Sequence, residues 1–257
     1  MAMSLFFELH RDLPREGPGD DATTARVLGS IVAEVPPKPE VLDIGCGPGA
    51  QTLVLARETR GRITAVDLHG PFLDELDRRA QAAGLRDRIR IERASMDALP
   101  FAPASFDLLW SEGAIWVMGF ARGLEAWRPL LRPRGIVAVS ELTWLTDTPE
   151  PEERAFWSEA YPAMQERPAN RAALASAGYE PLGEFDVPHE SWFADYLDPL
   201  ERRADVLSAQ YAGDPAALRE IDAQRREIEI ARRYGGFGYV FYVARVSPGD
   251  HSGANAP

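Results

Sequence analysis

Between residues 41 and 141 the apolar positions come in short runs that each end in polar residues, separated by stretches with helical spacing. Val41-Leu42-Asp43-Ile44 reads as a buried strand, and Gly45-Cys46-Gly47-Pro48-Gly49 reads as a tight turn after it. Residues 50–60, with Leu53, Leu55 and Ala56, continue as a helix. Residues 63–68 are rich in β-branched side chains and predict a second strand ending at Asp67. Residues 88–93 alternate with period two, a third strand, and residues 106–113 a fourth. Arg132-Pro133-Arg134-Gly135 turns into a fifth over Ile136 to Val139. This alternation predicts five parallel strands with helices between them.

The flanks are mainly helical. Residues 5–34 predict one or two helices, with Asp20-Asp21-Ala22-Thr23 as a start signal. In 120–131, Leu124, Trp127 and Leu131 sit at core-packing spacing. Residues 149–161 and 169–177 read as helices, the second stopped by Gly178, and 182–187 and 238–246 as strands. Between those strands, 197–233 is a long polar stretch that breaks at Gly213-Asp214-Pro215 into two helices. It suits a lid, a layer on the N-terminal helices, or a homodimer contact. Arg225, Arg226, Glu227 and Glu229 read as its solvated face. The Gly/Pro/Ser-rich tail 247–257 predicts disorder.

A strand, a glycine turn and a helix N-terminus form a cradle for a nucleotide-like ligand, since glycine lets the ligand approach the main chain. The alternative is a turn that only reverses the chain. Charge points to the ligand. Asp43 stands two residues before the first glycine, and the pattern is G-x-G-x-G with Pro48 inside it, not G-x-G-x-x-G. A carboxylate there suits a cationic ligand without phosphates, such as S-adenosylmethionine, over the pyrophosphate of NAD. Asp67 falls 22 positions after Gly45, near the ~20-residue spacing at which an acid meets a ribose hydroxyl pair. A third strand ending before Met96 and Asp97 leaves Met96 to pack on adenine and Asp97 to accept from its amino group.

With these motifs together, the chain resembles the class I S-adenosylmethionine-dependent methyltransferases. The glycine loop at 45–49, Asp67, Met96-Asp97, Phe106-Asp107 and the 132–139 turn carry the resemblance. Trp110-Ser111-Glu112-Gly113-Ala114-Ile115 with Val139-Ser140-Glu141 resembles a bacterial subgroup of small-molecule enzymes, over roughly residues 5 to 245. Arg134 stands where that family more often has glycine or lysine. The resemblance implies an α/β, Rossmann-like sheet of seven strands in order 3-2-1-4-5-7-6, the last antiparallel. It implies one domain over 1–246: an N-terminal cap at 1–35, a cofactor-binding core at 36–146, and the remaining sheet with its helical insertion at 147–246. Cofactor contacts are expected from Asp43, Gly45, Cys46, Gly47, Gln51, Asp67, Leu68, Ser95, Met96, Asp97, Ser111 and Glu112. S-adenosylhomocysteine is the implied product, and the acceptor does not transfer with the fold.

Composition narrows the partners. The 257 residues carry 28 basic against 40 acidic side chains, a net charge of −12, which disfavours nucleic acid and anionic membranes. Lys38 is the only lysine, closing Schiff-base and P-loop chemistry. Cys46 is the only cysteine and reads as packing beside the cofactor, not as a nucleophile. No stretch approaches the ~18–20 apolar residues of a membrane span, and the start lacks a signal-peptide pattern, so a cytoplasmic location is expected. No His, Cys or carboxylate spacing suggests a metal.

In an open parallel sheet the ligand sits beyond the carboxyl ends of the strands, at the switch point between strands one and four. Candidate proton acceptors there are Glu112, which also suits orientation of cofactor or substrate, then His10 and His189. Trp116, Trp144, Tyr161, Trp192, Tyr196 and Tyr234 are candidate walls for a small-molecule acceptor, against the alternative that several fill the core. Aromatic walls and an acidic chain suit a neutral or cationic acceptor. A binding module without turnover, or one acting on protein, is the other reading of the same motifs.

Overall fold

A computed structural model of the chain describes residues 3–248. From residue 249 onward the tail expected to be disordered lies outside the described residues. The parallel strands are β1 (Glu40–Ile44), β2 (Arg62–Asp67), β3 (Ile89–Arg93), β4 (Phe106–Ser111) and β5 (Leu131–Trp144). They are followed by β6 (Gln165–Glu166), β7 (Tyr179–Asp186) and β8 (Phe237–Val246). The sheet order is β3-β2-β1-β4-β5-β8-β7, with β8 antiparallel to both neighbours. This is the expected order, with β6 as an additional short strand paired to β5.

Neighbouring residues of the inner strands point to opposite faces, as the pleat requires. Val41, Leu108 and Ile136 join one apolar core, while Leu42, Leu109 and Val137 join the other. Every residue of β4 is buried, the mark of a strand covered on both sides. The second core takes Leu124 and Trp127 of α5 (Phe120–Trp127) and Leu174 of α7 (Arg167–Ser176). The first core takes Leu5 and Leu9 of α1 (Met3–Leu9), and Val27 and Leu28 of α2 (Asp21–Ile31). It also takes Leu200 and Leu207 of α8 (Asp198–Gln210) and Ile221 and Ile228 of α9 (Pro215–Arg233). Asp20 caps α2 by accepting from the Thr23 amide at 2.6 Å, and Asp214 caps α9, so both expected starts are present. The polar insertion thus lies on the N-terminal segment: Arg203 donates to the Glu8 carbonyl and the Tyr211 hydroxyl to the Glu8 carboxylate, each at 2.9 Å.

The loop between β1 and α3 (Ala50–Glu58) is where backbone conformation decides the sequence. Gly45, Gly47 and Gly49 all have positive φ, at 71°, 53° and 88°. A Cβ on Gly49 would lie 2.1 Å from Leu76 Cδ1 of α4 (Gly70–Ala82). Gly49→Ala combines left-handed strain with a steric overlap and is expected to destabilise the fold by about 2 kcal/mol or more, read as a lowered urea midpoint.

Candidate active site

The loop is held by acceptors at the end of β2. Gly45 and Cys46 amides both donate to the Val66 carbonyl at 2.9 and 3.0 Å, and the Gly47 amide donates to Asp67 Oδ2 at 3.0 Å. Asp67 Oδ1 accepts from the His69 amide at 2.9 Å. Each oxygen therefore has one backbone partner and a lone pair left. Asp43 is fully buried below the loop: Thr52 Oγ1 donates to Oδ2 at 2.5 Å and Gln51 Nε2 to Oδ1 at 3.4 Å. Burial, opposed by the Thr52 bond, pushes its carboxyl up to about 7. Burial likewise pushes the Cys46 thiol well above its ordinary value, which makes a poor nucleophile.

Above the loop lies a cavity of about 690 Å³. Gly45, Cys46, Gly47, Gln51, Asp67, Leu68, Ser95, Met96 and Glu112 line it from the strand ends. The N-terminal segment supplies Phe6, Phe7, His10, Arg15 and Glu16. Aromatic walls come from Trp116, Trp157, Tyr161, Trp192, Tyr196 and Tyr239, and α9 contributes Gln224, Glu227 and Ala231. Tyr239 belongs to β8, three strands from β1 in the sheet order, roughly 14 Å at the usual strand spacing. The cavity therefore has a polar half over β1 and β2 and an aromatic half over β5 and β8.

Other expected residues lie outside the lining. Ser111 is completely buried and donates to the Ile44 carbonyl at 2.9 Å, tying β4 to β1. Asp97 is exposed. His189 bonds the Ala231 carbonyl at 2.7 Å and packs edge-on against Phe193. Tyr234 turns away to give its hydroxyl to Glu152, and Trp144 packs against Phe237 under the Arg154 guanidinium. One expectation is overturned: Glu227 is not on the solvated face of α9 but lines the cavity, whereas Arg225 and Arg226 do lie outward, paired with Asp205 and Glu229. Gln224, Glu227 and Ala231 share the helix face with Ile228, so a carboxylate inside an apolar stripe was the available signal.

Arg15 and Glu16 carried no motif in the sequence, yet both matter here. Arg15, 5 % exposed, donates from Nη1 to Glu112 Oε2 at 3.2 Å and from Nη2 to Asp21 at 3.0 Å. Glu112 Oε1 also accepts from Trp110 Nε1 and Thr24 Oγ1, both at 2.8 Å. Asp21, Thr24 and Trp110 thus converge on the Glu112–Arg15 pair, which clamps the N-terminal segment to the end of β4. Glu16 lies against Gly47, whose added Cβ would meet Glu16 Cγ at 3.1 Å. Both its carboxylate oxygens are buried without a partner, and burial with the nearby Asp67 charge pushes it up to about 9. His10 gives its Nδ1 proton to the Phe6 carbonyl at 2.9 Å, which leaves Nε2 facing the Tyr196 hydroxyl at 3.4 Å. Burial holds its ring down at about 4, so it is neutral.

Unpartnered acid oxygens beside a glycine turn fit a ligand rich in donors and positive charge. S-adenosylmethionine, with its ammonium, sulfonium and ribose hydroxyls, has that chemistry. Comparison with known proteins agrees: residues 41–135 match the family model described as a methyltransferase domain. A malonyl-[acyl-carrier protein] O-methyltransferase of Enterobacter lignolyticus is 31% identical over 233 residues, covering 88% of this chain and 84% of its own length. The chain belongs to the class I S-adenosylmethionine-dependent methyltransferases. Uncharacterized protein YjhP of Escherichia coli is also 31% identical, over 87% of this chain and 90% of its own. In fold, a methyltransferase from Geobacter sulfurreducens solved with S-adenosyl-L-homocysteine superposes with a TM-score of 0.76 at 20% identity, covering 94% of this chain and 97% of that one. The protein is thus a methyltransferase enzyme with S-adenosylmethionine as its cofactor, and the NAD reading is not favoured. Among the described residues no helix is long and apolar enough to cross a membrane, and no three His, Cys, Asp or Glu form a metal-binding group.

Glu112→Gln is expected to lower unfolding free energy by about 1–3 kcal/mol, because Arg15 stays buried with only the exposed Asp21 as counter-charge. Urea denaturation measures this. A residue serving only as proton acceptor would leave stability unchanged.

Proposed function

We propose that this methyltransferase acts on a small molecule whose apolar body occupies the aromatic half of the cavity while the cofactor occupies the polar half. The observation that carries the reading is the continuity of the cavity, which borders both the glycine loop and the walls of Trp157, Trp192, Tyr196 and Tyr239. Asp67 is assigned to the ribose hydroxyls through its remaining lone pairs, with Glu16 facing the same region. Ser95 and Met96 are assigned to adenine, Gln51 and the loop amides to the polar end of the cofactor. Asp43 acts through Thr52 and Gln51, holding the start of α3 rather than touching ligand.

When bound, S-adenosylmethionine supplies a methyl group on a positively charged sulfur, which an acceptor lone pair displaces in line. The leaving group is already good, so the protein's part is alignment and exclusion of water. Phe6 and Phe7 help close the cavity; Phe7 stacks on His69 at 3.6 Å and meets Phe72 edge-on, fixing α1 against the start of α4, while Phe6 stacks on His10 at 4.1 Å. Glu112 positions this cap through Arg15 and Thr24. The acceptor proton, where there is one, has neutral His10 Nε2 and Glu227 within the same cavity.

Asp67→Asn keeps one acceptor oxygen but loses the charge. Calorimetric titration is expected to show S-adenosylhomocysteine binding about 10- to 100-fold weaker than in the parent protein, the worth of a charge-assisted contact. Unchanged affinity in a folded variant would remove Asp67 from the ribose site.

A further inference from the structure

The aromatic half of the cavity holds one carboxylate whose place the sequence did not reveal. Glu227 projects from α9 into a space bordered by Trp157, Trp192, Tyr196 and Tyr239. Gln224 Nε2 donates to its Oε2 at 3.1 Å, and no cation among the described residues pairs with it. The cations that do reach the cavity are already spoken for or absent: Arg15 is bound by Glu112 and Asp21, and His10 is neutral. Burial, only partly offset by the Gln224 bond, pushes the Glu227 carboxyl up to about 7. Burial also raises the Tyr196 and Tyr239 hydroxyls; the Glu227 charge adds to the first, and the Glu141 charge and then the Glu227 charge add to the second, so these phenols remain neutral donors.

A buried carboxylate without a counter-cation is costly, and a ligand that brings one removes the penalty. Aromatic faces around it attract the same kind of ligand through their quadrupoles. A ligand carboxylate or phosphate meets the opposite: Glu227 repels it and no free cation receives it. Resting on the assignment of this half to the acceptor, we infer that the methyl acceptor carries a basic nitrogen, bound as an ammonium between Glu227 and the walls of Trp192, Tyr196 and Tyr239. Glu227 is then the residue that selects the acceptor by charge, while the glycine loop handles the cofactor.

Three probes on one phenylethyl frame test this on protein saturated with S-adenosylhomocysteine: 2-phenylethylamine, 2-phenylethanol and 3-phenylpropionate, each titrated by calorimetry. The amine is expected to bind at least about tenfold more tightly than the alcohol, and the acid more weakly than either. Glu227→Gln is close to isosteric and leaves no cation orphaned, so it folds. It is expected to bring amine and alcohol within about threefold of each other while S-adenosylhomocysteine affinity stays unchanged. Glu227→Asp is expected to retain part of the preference. Equal binding of amine and alcohol, tightest binding of the acid, or an amine preference that survives Glu227→Gln each overturns the inference. A failure of S-adenosylhomocysteine to bind the parent protein is a separate result and overturns the placing of the cofactor.

Discussion

A turn with three glycines in left-handed backbone has little of its own to keep it in shape, and its amides need acceptors from outside. Here Val66 and Asp67, at the end of the neighbouring strand, provide them. The Val66 carbonyl takes two amides and the Asp67 carboxylate takes the third. The loop is therefore defined by β2 as much as by β1, and it exists only where these two strands run parallel and end together. Asp43 adds the third constraint from below by fixing the first turn of α3. The main chain can then stay close to a ligand without a side chain in between.

The second constraint is the clamp at Glu112. Trp110 and Glu112 come from β4 and its end, Thr24 from α2, and Arg15 from the segment before α2. A buried ion pair of this kind contributes little net stability against an apolar substitute, yet it is costly to break on one side. Its use here is geometric. It sets where the N-terminal segment crosses the strand ends, and so places Phe6, His10 and Glu16 over the cavity.

What the sequence made legible follows from how local each signal is. Strand, turn and helix in 41–68 are written in consecutive residues, and the acid that ends β2 has a fixed spacing to the loop, so both could be read. The sheet order beyond β5 came with the family resemblance rather than with any pattern in 179–246. Glu227 was harder to place because its meaning depends on which face of α9 packs on α8 and lines the cavity, and that is set by packing across long separations. Ser111 shows the reverse case: a polar residue at a strand end reads as a ligand contact, and in the structure its hydroxyl serves the neighbouring strand. Tyr234 ends α9 on the side of Glu152, where an aromatic signal alone could not show it pointing away.

In the proposed function one cavity holds the cofactor over β1 and β2 and the acceptor over β5 and β8. A crystal structure with S-adenosylhomocysteine tests it most directly through the position of the sulfur. Adenine is expected against Met96, the ribose on Asp67, and the sulfur beside Glu112 to Ala114, facing the aromatic half. Adenine lodged among Trp157, Trp192 and Tyr239, or a sulfur turned away from that half, would contradict it.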